Sequence, residues 1–221
     1  MVNKITFKQY LLEANESPKA ESIDDLLNSI VDGHFTKDGS KLKVTGYFAC
    51  GHNKLKSLEG CPQTVDGYFG CSNNQLKSLE GCPQTVGGDF WCQRNQLESL
   101  EGCPQTIGGS FYCWSNQLES LEGCPQTVGG DFDCNDNKQL TSLARINFYV
   151  HEINGEDGAD FAGCPIKSNI LGLLKISGLK KVYFDDKKLE AIMNKYLPMG
   201  DSTDRIDDLL DAGYSKEYCK W

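Results

Sequence analysis

Between Val44 and Leu143 the apolar residues of the chain repeat with a period of 21 residues. The unit reads V-x-G-x-F-x-C-x-x-N-x-L-x-S-L-E-G-C-P-Q-T, and the spacing is strict for Leu55, Leu76, Leu97 and Leu118. A fixed period of about 20–29 residues is typical of a solenoid, in which each repeat buries its apolar face only against its neighbours. The pattern therefore predicts a repeat solenoid of the short leucine-rich-repeat-like β type.

Within each unit, the alternation around phenylalanine and cysteine predicts a short strand whose Phe and Cys side chains point inward. The pattern F-x-C-x-x-N-x-L-x-x-L overlays the core of a leucine-rich repeat, with Phe and Cys in two leucine slots. The asparagine of each unit is expected to bond backbone groups where the strand turns, so that each repeat braces the next. Proline on the return side and the short period exclude a helix there, so extended returns are expected.

The segment before the repeats, residues 1–41, is interpreted as an N-terminal helical segment and cap. Apolar residues within 1–14 are consistent with a short amphipathic helix. A second helix is predicted from Ser22, which can cap it, to Gly33, which supplies a left-handed stop. Residues 37–40 then read as a turn into the first coil. This segment is expected to cover the open end of the solenoid.

The solenoid is assigned to residues 42–165, with about five regular coils and one degenerate coil over 144–165. In that last coil, 148–153 reads as an irregular strand and 161–165 as a copy of L-E-G-C-P. Residues 166–221 are predicted to form a C-terminal helical cap. It contains an apolar helix over 170–176, a strand over 180–184, an amphipathic helix over 186–197 and a last helix ending near Gly213.

The charge balance is acidic, with 31 Asp and Glu against 22 Lys and Arg and a net charge of −9. Such a chain is a poor non-specific ligand for nucleic acid or anionic membrane, whereas a basic protein partner or nucleic-acid mimicry is compatible with it. Lys4, Lys8 and Glu13 interrupt the apolar residues of the N-terminus, so no secretory signal is expected. No run of about 18 apolar residues is present either. A cytoplasmic location is therefore expected.

The chain has 11 cysteines, and ten of them occupy F-x-C or G-C-P slots. An odd number without an export signal favours the reducing cytosol over a disulfide framework. The C-x-x-C spacing of zinc sites is missing from these slots. Stacked one period apart, the thiols are expected to lie about 4.8 Å from one another in a column and to act as small buried hydrophobes.

The sequence pattern does not indicate a catalytic site. His34, His52 and His151 lie near no serine or cysteine with an orienting acid, and neither a phosphate-binding loop nor a dinucleotide fingerprint occurs. The run from Asp131 to Asn137 is rich in oxygen ligands but lacks the twelve-position calcium loop. The sequence thus predicts a protein that is not an enzyme and that carries no cofactor and no metal.

The repeats differ from one another mainly at the strand positions that flank Phe and Cys, which must face outward. The predicted partner-binding residues on this face are Tyr47, Tyr68, Asp89, Trp91, Gln93, Tyr112, Trp114, Asp131 and Asp133. Clustered surface aromatics are typical of binding sites and are enriched among hot spots. They also stabilise sheets as cross-strand ladders, by about 0.2–1 kcal/mol per pair. The sequence leaves both interpretations open.

Two segments carry a resemblance to known proteins. The repeat L-x-S-L-E-G-C-P-Q-T-V-G-G-D-F-x-C-x-x-N-x-L resembles the short leucine-rich-repeat proteins of large tailed bacteriophages. The tail G-L-K-K-V-Y-F-D-D-K-K-L-E-A-I-M-N-K-Y-L-P-M-G-D, followed by D-D-L-L-D-A-G, is similar to the C-terminal segment of those proteins. The resemblance implies a phage-encoded protein, and host takeover or inhibition of an antiviral defence through a host protein partner is then the expected context.

A second resemblance supports an alternative. The start F-K-Q-Y-L-L-E-A resembles the capsid-targeting peptide of some phage internal head proteins. It implies a structural or internal virion protein, with Leu11-Leu12-Glu13 as a prohead-protease site. An ordinary N-terminal helix explains the same residues.

Overall fold

The structure is a computed structural model that describes residues 35–38, 41–199 and 204–220. It opens with strands β1 (Phe35–Asp38) and β2 (Lys41–Val44), which pair antiparallel with Asp38 opposite Lys41. The turn predicted over 37–40 overlaps the end of β1, where Lys37 and Asp38 pair as strand residues, and its last two residues lie outside the described residues. Both helices that the sequence predicts before residue 34 lie outside the described residues.

Each regular coil contributes one very short strand to each of two parallel sheets. In the first sheet the repeat strands are β4 (Thr64–Val65), β6 (Thr85–Val86), β8 (Thr106–Ile107) and β10 (Thr127–Val128). In the second sheet they are β3 (Phe48–Ala49), β5 (Phe69–Gly70), β7 (Phe90–Trp91), β9 (Phe111–Tyr112) and β11 (Phe132–Asp133).

The pairing register follows the repeat, since Phe69 pairs with Phe90 and Thr64 with Thr85. The predicted β-solenoid is therefore confirmed. Between residues 41 and 143 the described chain contains no helix, so the prediction that the returns are not helical is confirmed too. The first sheet was not predicted, because two residues of Thr-Val are too short to show a strand period.

The core is a stack of identical side chains. Phe69, Phe90 and Phe111 have no solvent exposure, and successive ring centroids lie 5.1 and 5.6 Å apart. All ten repeat-slot cysteines are buried with free thiols, which confirms the predicted packing role of the column. Contacts of this kind join only neighbouring coils, so stability accumulates along one dimension.

The corners between the sheets depend on glycine because successive coils approach closely there. A Cβ atom on Gly108 would collide with the carbonyl oxygen of Gly87, and one on Gly87 would collide with that of Asp66. The Gly-Gly pairs of the repeat are thus explained by coil stacking.

After Leu143 the coils become irregular, and two predictions for this region are corrected. The first two residues of the strand predicted over 148–153 belong to a short helix, α1 (Ile146–Tyr149), and only β12 (Glu152–Ile153) is a strand. The next strand, β13 (Ala159–Asp160), pairs parallel with β11, Phe132 opposite Ala159. This register aligns Phe161 with Cys134.

The copy of L-E-G-C-P at 161–165 therefore lies in a different part of the coil from the one that this motif occupies in the regular repeats. The local turn is indeed the same, because the Cys164 amide donates to the Phe161 carbonyl as the Cys61 amide does to that of Leu58. In the stack, however, Cys164 follows the second sheet, where its thiol donates to the Cys134 carbonyl at 3.2 Å. In earlier coils the side-chain amide of the repeat asparagine donates the equivalent hydrogen bond.

The last strand, β14 (Val182–Tyr183), pairs with β13 and ends the second sheet, so that sheet continues into the segment assigned to the C-terminal cap. A 3₁₀ segment (Ile170–Lys175) precedes it. The helix predicted over 186–197 is confirmed as α2 (Lys187–Tyr196), with Asp186 accepting from the Lys188 and Leu189 amides. A 3₁₀ turn (Leu197–Met199) and α3 (Asp204–Asp211) follow. Of the helices described, none is long and apolar enough to span a membrane.

Candidate interaction surface

The outward positions of the second sheet lie where the sequence places them. Phe and Cys of each strand are buried, and all nine predicted partner-binding residues lie on the outside. Tyr47 is the most open of them, with 46% of its surface exposed, and the other eight are half-buried. Their partial burial arises from contacts across the coils, with one another for four of the aromatic residues and with other side chains or backbone groups for Asp89, Trp114 and Asp131.

Four aromatic side chains form a continuous band, which we call the aromatic stripe: Tyr47, Tyr68, Trp91 and Tyr112. The first two rings stack with centroids 4.8 Å apart and planes 3° apart. Tyr68 then stacks on Trp91 at 4.8 Å, and Trp91 meets Tyr112 edge-on at 6.4 Å. The stripe thus crosses four neighbouring strands as one ladder.

At Gly70 the stripe shifts from the residue that precedes the inward Phe of a coil to the residue that follows it. Tyr68 precedes the inward Phe of its coil, whereas Trp91 follows it, so the two rings are not directly opposite in register. A Cβ atom on Gly70 would lie 3.6 Å from Cε3 of Trp91, which places the indole across this glycine. An aromatic ring that covers a cross-strand glycine compensates for the missing side chain.

Trp114 lies in a separate column and has a cationic neighbour that sequence reasoning missed. The Arg94 guanidinium carbon is 4.7 Å from the centroid of the Trp114 ring, a cation–π contact. Arg94 adopts a left-handed backbone with φ of 55°, as do the equivalent residues of the other regular coils. The sequence could have indicated this contact, because Arg94 follows Gln93, and Trp114 is the equivalent of Gln93 in the next coil. The Gln93 Oε1 atom is buried and has no hydrogen-bond partner among the described residues.

Asp89 and Asp131 have a structural role in addition to their place on the face. Asp89 Oδ1 accepts from the Ser110 amide at 2.8 Å. Ser110 Oγ in turn accepts from the Asp131 amide at 3.0 Å. Asp131 Oδ1 accepts from the amides of Asp157 and Gly158 at 2.8 and 3.0 Å. From Asp89 onwards, one column of polar side chains therefore connects successive coils by hydrogen bonds.

Beyond Tyr112 the stripe leads into a cavity of about 310 Å³, which we call the acidic cleft. Its lining residues are Tyr112, Asp131, Phe132, Asp133, Asp157, Gly158, Asp160 and Tyr183. Parallel pairing creates it, because Asp133 is opposite Asp160 and Asp160 is opposite Tyr183. Of these residues the sequence identified Tyr112, Asp131 and Asp133 as binding residues. Asp157, Gly158, Asp160 and Tyr183 come from coils in which the 21-residue period no longer holds, so no spacing could reveal them.

The cleft is electrostatically unbalanced. Burial raises the pKa of Asp133 to about 6 from 3.8, and the negative charges of Asp160, Asp131 and Asp136 add to the effect. The Asn135 amide donates to Asp133 Oδ1 at 3.2 Å and opposes this increase in pKa only partly. Carboxylates that share a site without a cation resist ionisation in this way.

Neither metal binding nor thiol chemistry has a geometric basis in the described residues. No group of three or more His, Cys, Asp or Glu side chains there is arranged to hold a metal ion. Burial raises the pKa of Cys82 and of Cys113 to about 12. Since the thiolate is the nucleophile, these thiols are inert at neutral pH.

The fold and the surface define a short-repeat β-solenoid with one aromatic and acidic face. Comparison with family models, with curated proteins and with solved structures gives no match. The functional argument therefore depends on the geometry of this face.

Proposed function

We propose that this chain is a non-enzymatic, phage-encoded protein-binding module that binds a host protein through the outer face of its second sheet. The observation that carries the proposal is the contrast between the two sheets. On the first sheet the outward residue of all four repeat strands is threonine. On the second sheet the outward residues change from coil to coil, and aromatic and acidic residues are prominent among them. Packing alone favours the same residue at equivalent positions of every coil. Residues that vary on one face, above a core that repeats, are typical of a recognition surface.

The physical properties of the face support the same proposal. Half-buried Tyr and Trp keep apolar surface available and are the residue types most enriched in hot spots. Because the rings already stack on one another, little side-chain entropy remains to be lost when a partner binds. The ladder interpretation and the binding interpretation are thus compatible, since stacking preorganises the rings.

The test compares two matched triple variants of the full chain in affinity purification from infected cells. The stripe variant combines Trp91→Ala and Tyr112→Ala in the stripe with Trp114→Ala in the neighbouring column. The control is Thr85→Ala, Thr106→Ala, Thr127→Ala on the opposite sheet. We expect the stripe variant to lose the partner that the wild-type protein and the control retain. Thermal unfolding verifies that both variants stay folded. Equal capture by folded variants would refute the proposal.

The alternative, an internal virion protein, rests on the N-terminal motif, which lies outside the described residues. Mass spectrometry of purified particles distinguishes it. Packaging by that route requires the protein in the particle with residues 1–13 removed after Glu13. Absence from particles, or retention of these residues in mature particles, contradicts it.

A further inference from the structure

We propose that the partner contributes an extended basic segment, which lies along the aromatic stripe and places an arginine side chain in the acidic cleft between Tyr112 and Tyr183. This inference rests on the proposed function and specifies the chemistry of its partner. The stripe and the cleft share Tyr112, so they form one continuous surface on the second sheet.

The negative charge of the cleft favours a cationic occupant. Four aspartates line it, and no lysine or arginine of the described chain does. Lysines close to this end of the sheet already have anionic neighbours. Lys138 is 2.6 Å from Asp136, and Lys187 is 2.8 Å from Glu190. The excess negative charge of the cleft is therefore available to a cation from outside.

The shape and the aromatic walls favour an arginine over a metal ion. The side chains are not arranged to coordinate a metal. A cavity of about 310 Å³ lies at the lower end of the size range of ligand pockets, which suits one long side chain. A planar guanidinium stacks on tyrosine and bonds carboxylates in a bidentate manner, whereas an ammonium group is a compact point charge.

The dimensions of the surface fix the conformation of the segment. From Tyr47 at β3 to Tyr183 in β14 the surface crosses all seven strands of the second sheet. At the usual inter-strand spacing this is about 29 Å, which about nine extended residues would cover. A segment of this length places alternate side chains against the stripe and its arginine at the acidic end.

The test uses defined probes and fluorescence anisotropy. The probes are fluorescein-labelled nonapeptides of alternating valine and serine, each with one arginine at a successive position, and matched peptides with citrulline or lysine in its place. The protein forms are the wild type, Asp133→Asn with Asp160→Asn in the cleft, and Glu101→Gln with Glu122→Gln as a control of equal net charge. Asparagine keeps the Oδ1 acceptor that Asn135 and Ala162 amides use.

We expect the best arginine peptide to bind the wild type and the control at least about tenfold more tightly than its citrulline and lysine counterparts. The cleft variant should lose this preference. Equal binding of arginine and citrulline, equal binding of arginine and lysine, or no binding of any peptide would each overturn the inference.

Partner capture separates this inference from the function on which it depends. If the stripe variant loses the partner but the cleft variant retains it, the arginine inference fails and the proposed function stands. If neither change affects capture, the proposed function itself fails. Loss in both variants, with the peptide preference above, supports both.

Discussion

At the scale of single residues, the buried asparagine column explains how two-residue strands form a rigid solenoid. Asn95 is 8% exposed and its amide nitrogen donates to the carbonyls of Cys71 and Cys92 at 3.0 and 3.1 Å. Its Oδ1 accepts from the Leu76 amide at 3.1 Å. One side chain thus satisfies backbone groups of two coils, which confirms the bracing role predicted from the sequence.

Replacing Asn95 by alanine should therefore be costly. The buried Leu76 amide would lose its acceptor, at about 1–3 kcal/mol for an unsatisfied group. The carbonyls of Cys71 and Cys92 would each lose one of two asparagine donors and keep the other, from Asn74 and Asn116. We expect Asn95→Ala to lower the free energy of unfolding by about 3 kcal/mol, measured by urea denaturation. Asn135→Ala, at an outward position of the next coil but one, is the control and should change it by less than about 0.5 kcal/mol. A small effect of Asn95→Ala would show that water replaces these hydrogen bonds.

Asp133 gives the stability of the protein a defined pH dependence. Its pKa in the folded state, about 6, lies above the usual 3.8, so the folded state binds the proton more tightly than the unfolded state does. Stability therefore falls as pH rises from about 4 to about 6 and stays lower above that. Asp133→Asn removes this loss.

We expect Asp133→Asn to be more stable than the wild type by about 1 kcal/mol at pH 7.5, a value reduced for the partial exposure of the carboxylate. The difference should approach zero near pH 4. Urea denaturation at pH 4, 5, 6 and 7.5 measures it, with Glu101→Gln as the exposed control. A difference that stays constant over this range would contradict the assigned pKa.

At the scale of elements, α2 shows how the chain ends a sheet. The exposed edge of a parallel sheet offers unpaired amides and carbonyls to other chains. Asn194 of α2 covers this edge, because its Oδ1 accepts from the Val182 amide at 2.8 Å and its Nδ2 donates to the Val182 carbonyl at 2.9 Å. Glu190 Oε2 accepts from the Phe184 amide at 2.9 Å. Side chains of α2 thus bond the backbone groups that a neighbouring strand would otherwise bond.

Changing Asn194 should uncover the last strand. Asn194→Leu removes both hydrogen bonds to Val182, and we expect a loss of about 2–3 kcal/mol in the free energy of unfolding. It should also increase association, measured by light scattering of the folded protein. Asn194→Asp keeps the acceptor alone and should have an intermediate effect on stability. If neither variant changes association or stability, α2 does not protect the edge in this way.

At the scale of the whole molecule, stability passes from coil to coil through the phenylalanine stack. Phe111 has no exposure and lies between Phe90 and Phe132, with both centroid distances 5.6 Å. In a solenoid of this kind, cooperativity depends on the interfaces between neighbouring repeats. A defect in the middle should therefore weaken the coupling between the two halves as well as the local core.

We expect Phe111→Ala to cost about 3–5 kcal/mol and to separate unfolding into two transitions. Hydrogen exchange should show early loss of protection in the coils next to β9. Tyr47→Ala, at the first strand of the same sheet, is the control and should cost less than about 1 kcal/mol. A single transition for Phe111→Ala would mean that the coils unfold as one unit.

The sequence by itself determined the repeating coil, its inward Phe, Cys and Leu, its asparagine brace and the aromatic residues of the outer face. These features follow from a local pattern because residues one period apart always become neighbours. It did not determine the first sheet, whose strands have two residues, or the position of Cys164, whose local turn is repeated in another part of the coil.

Only the tertiary structure decided the composition of the acidic cleft. Asp157, Asp160 and Tyr183 follow no common spacing from Asp133, and their proximity depends on the pairing of β11, β13 and β14. It also decided that four of the aromatic residues form one stripe, since Trp91 reaches Tyr68 only across Gly70. The physical reason is the same in both cases. Where the period fails or a side chain changes column, only the register of backbone hydrogen bonds determines which residues meet.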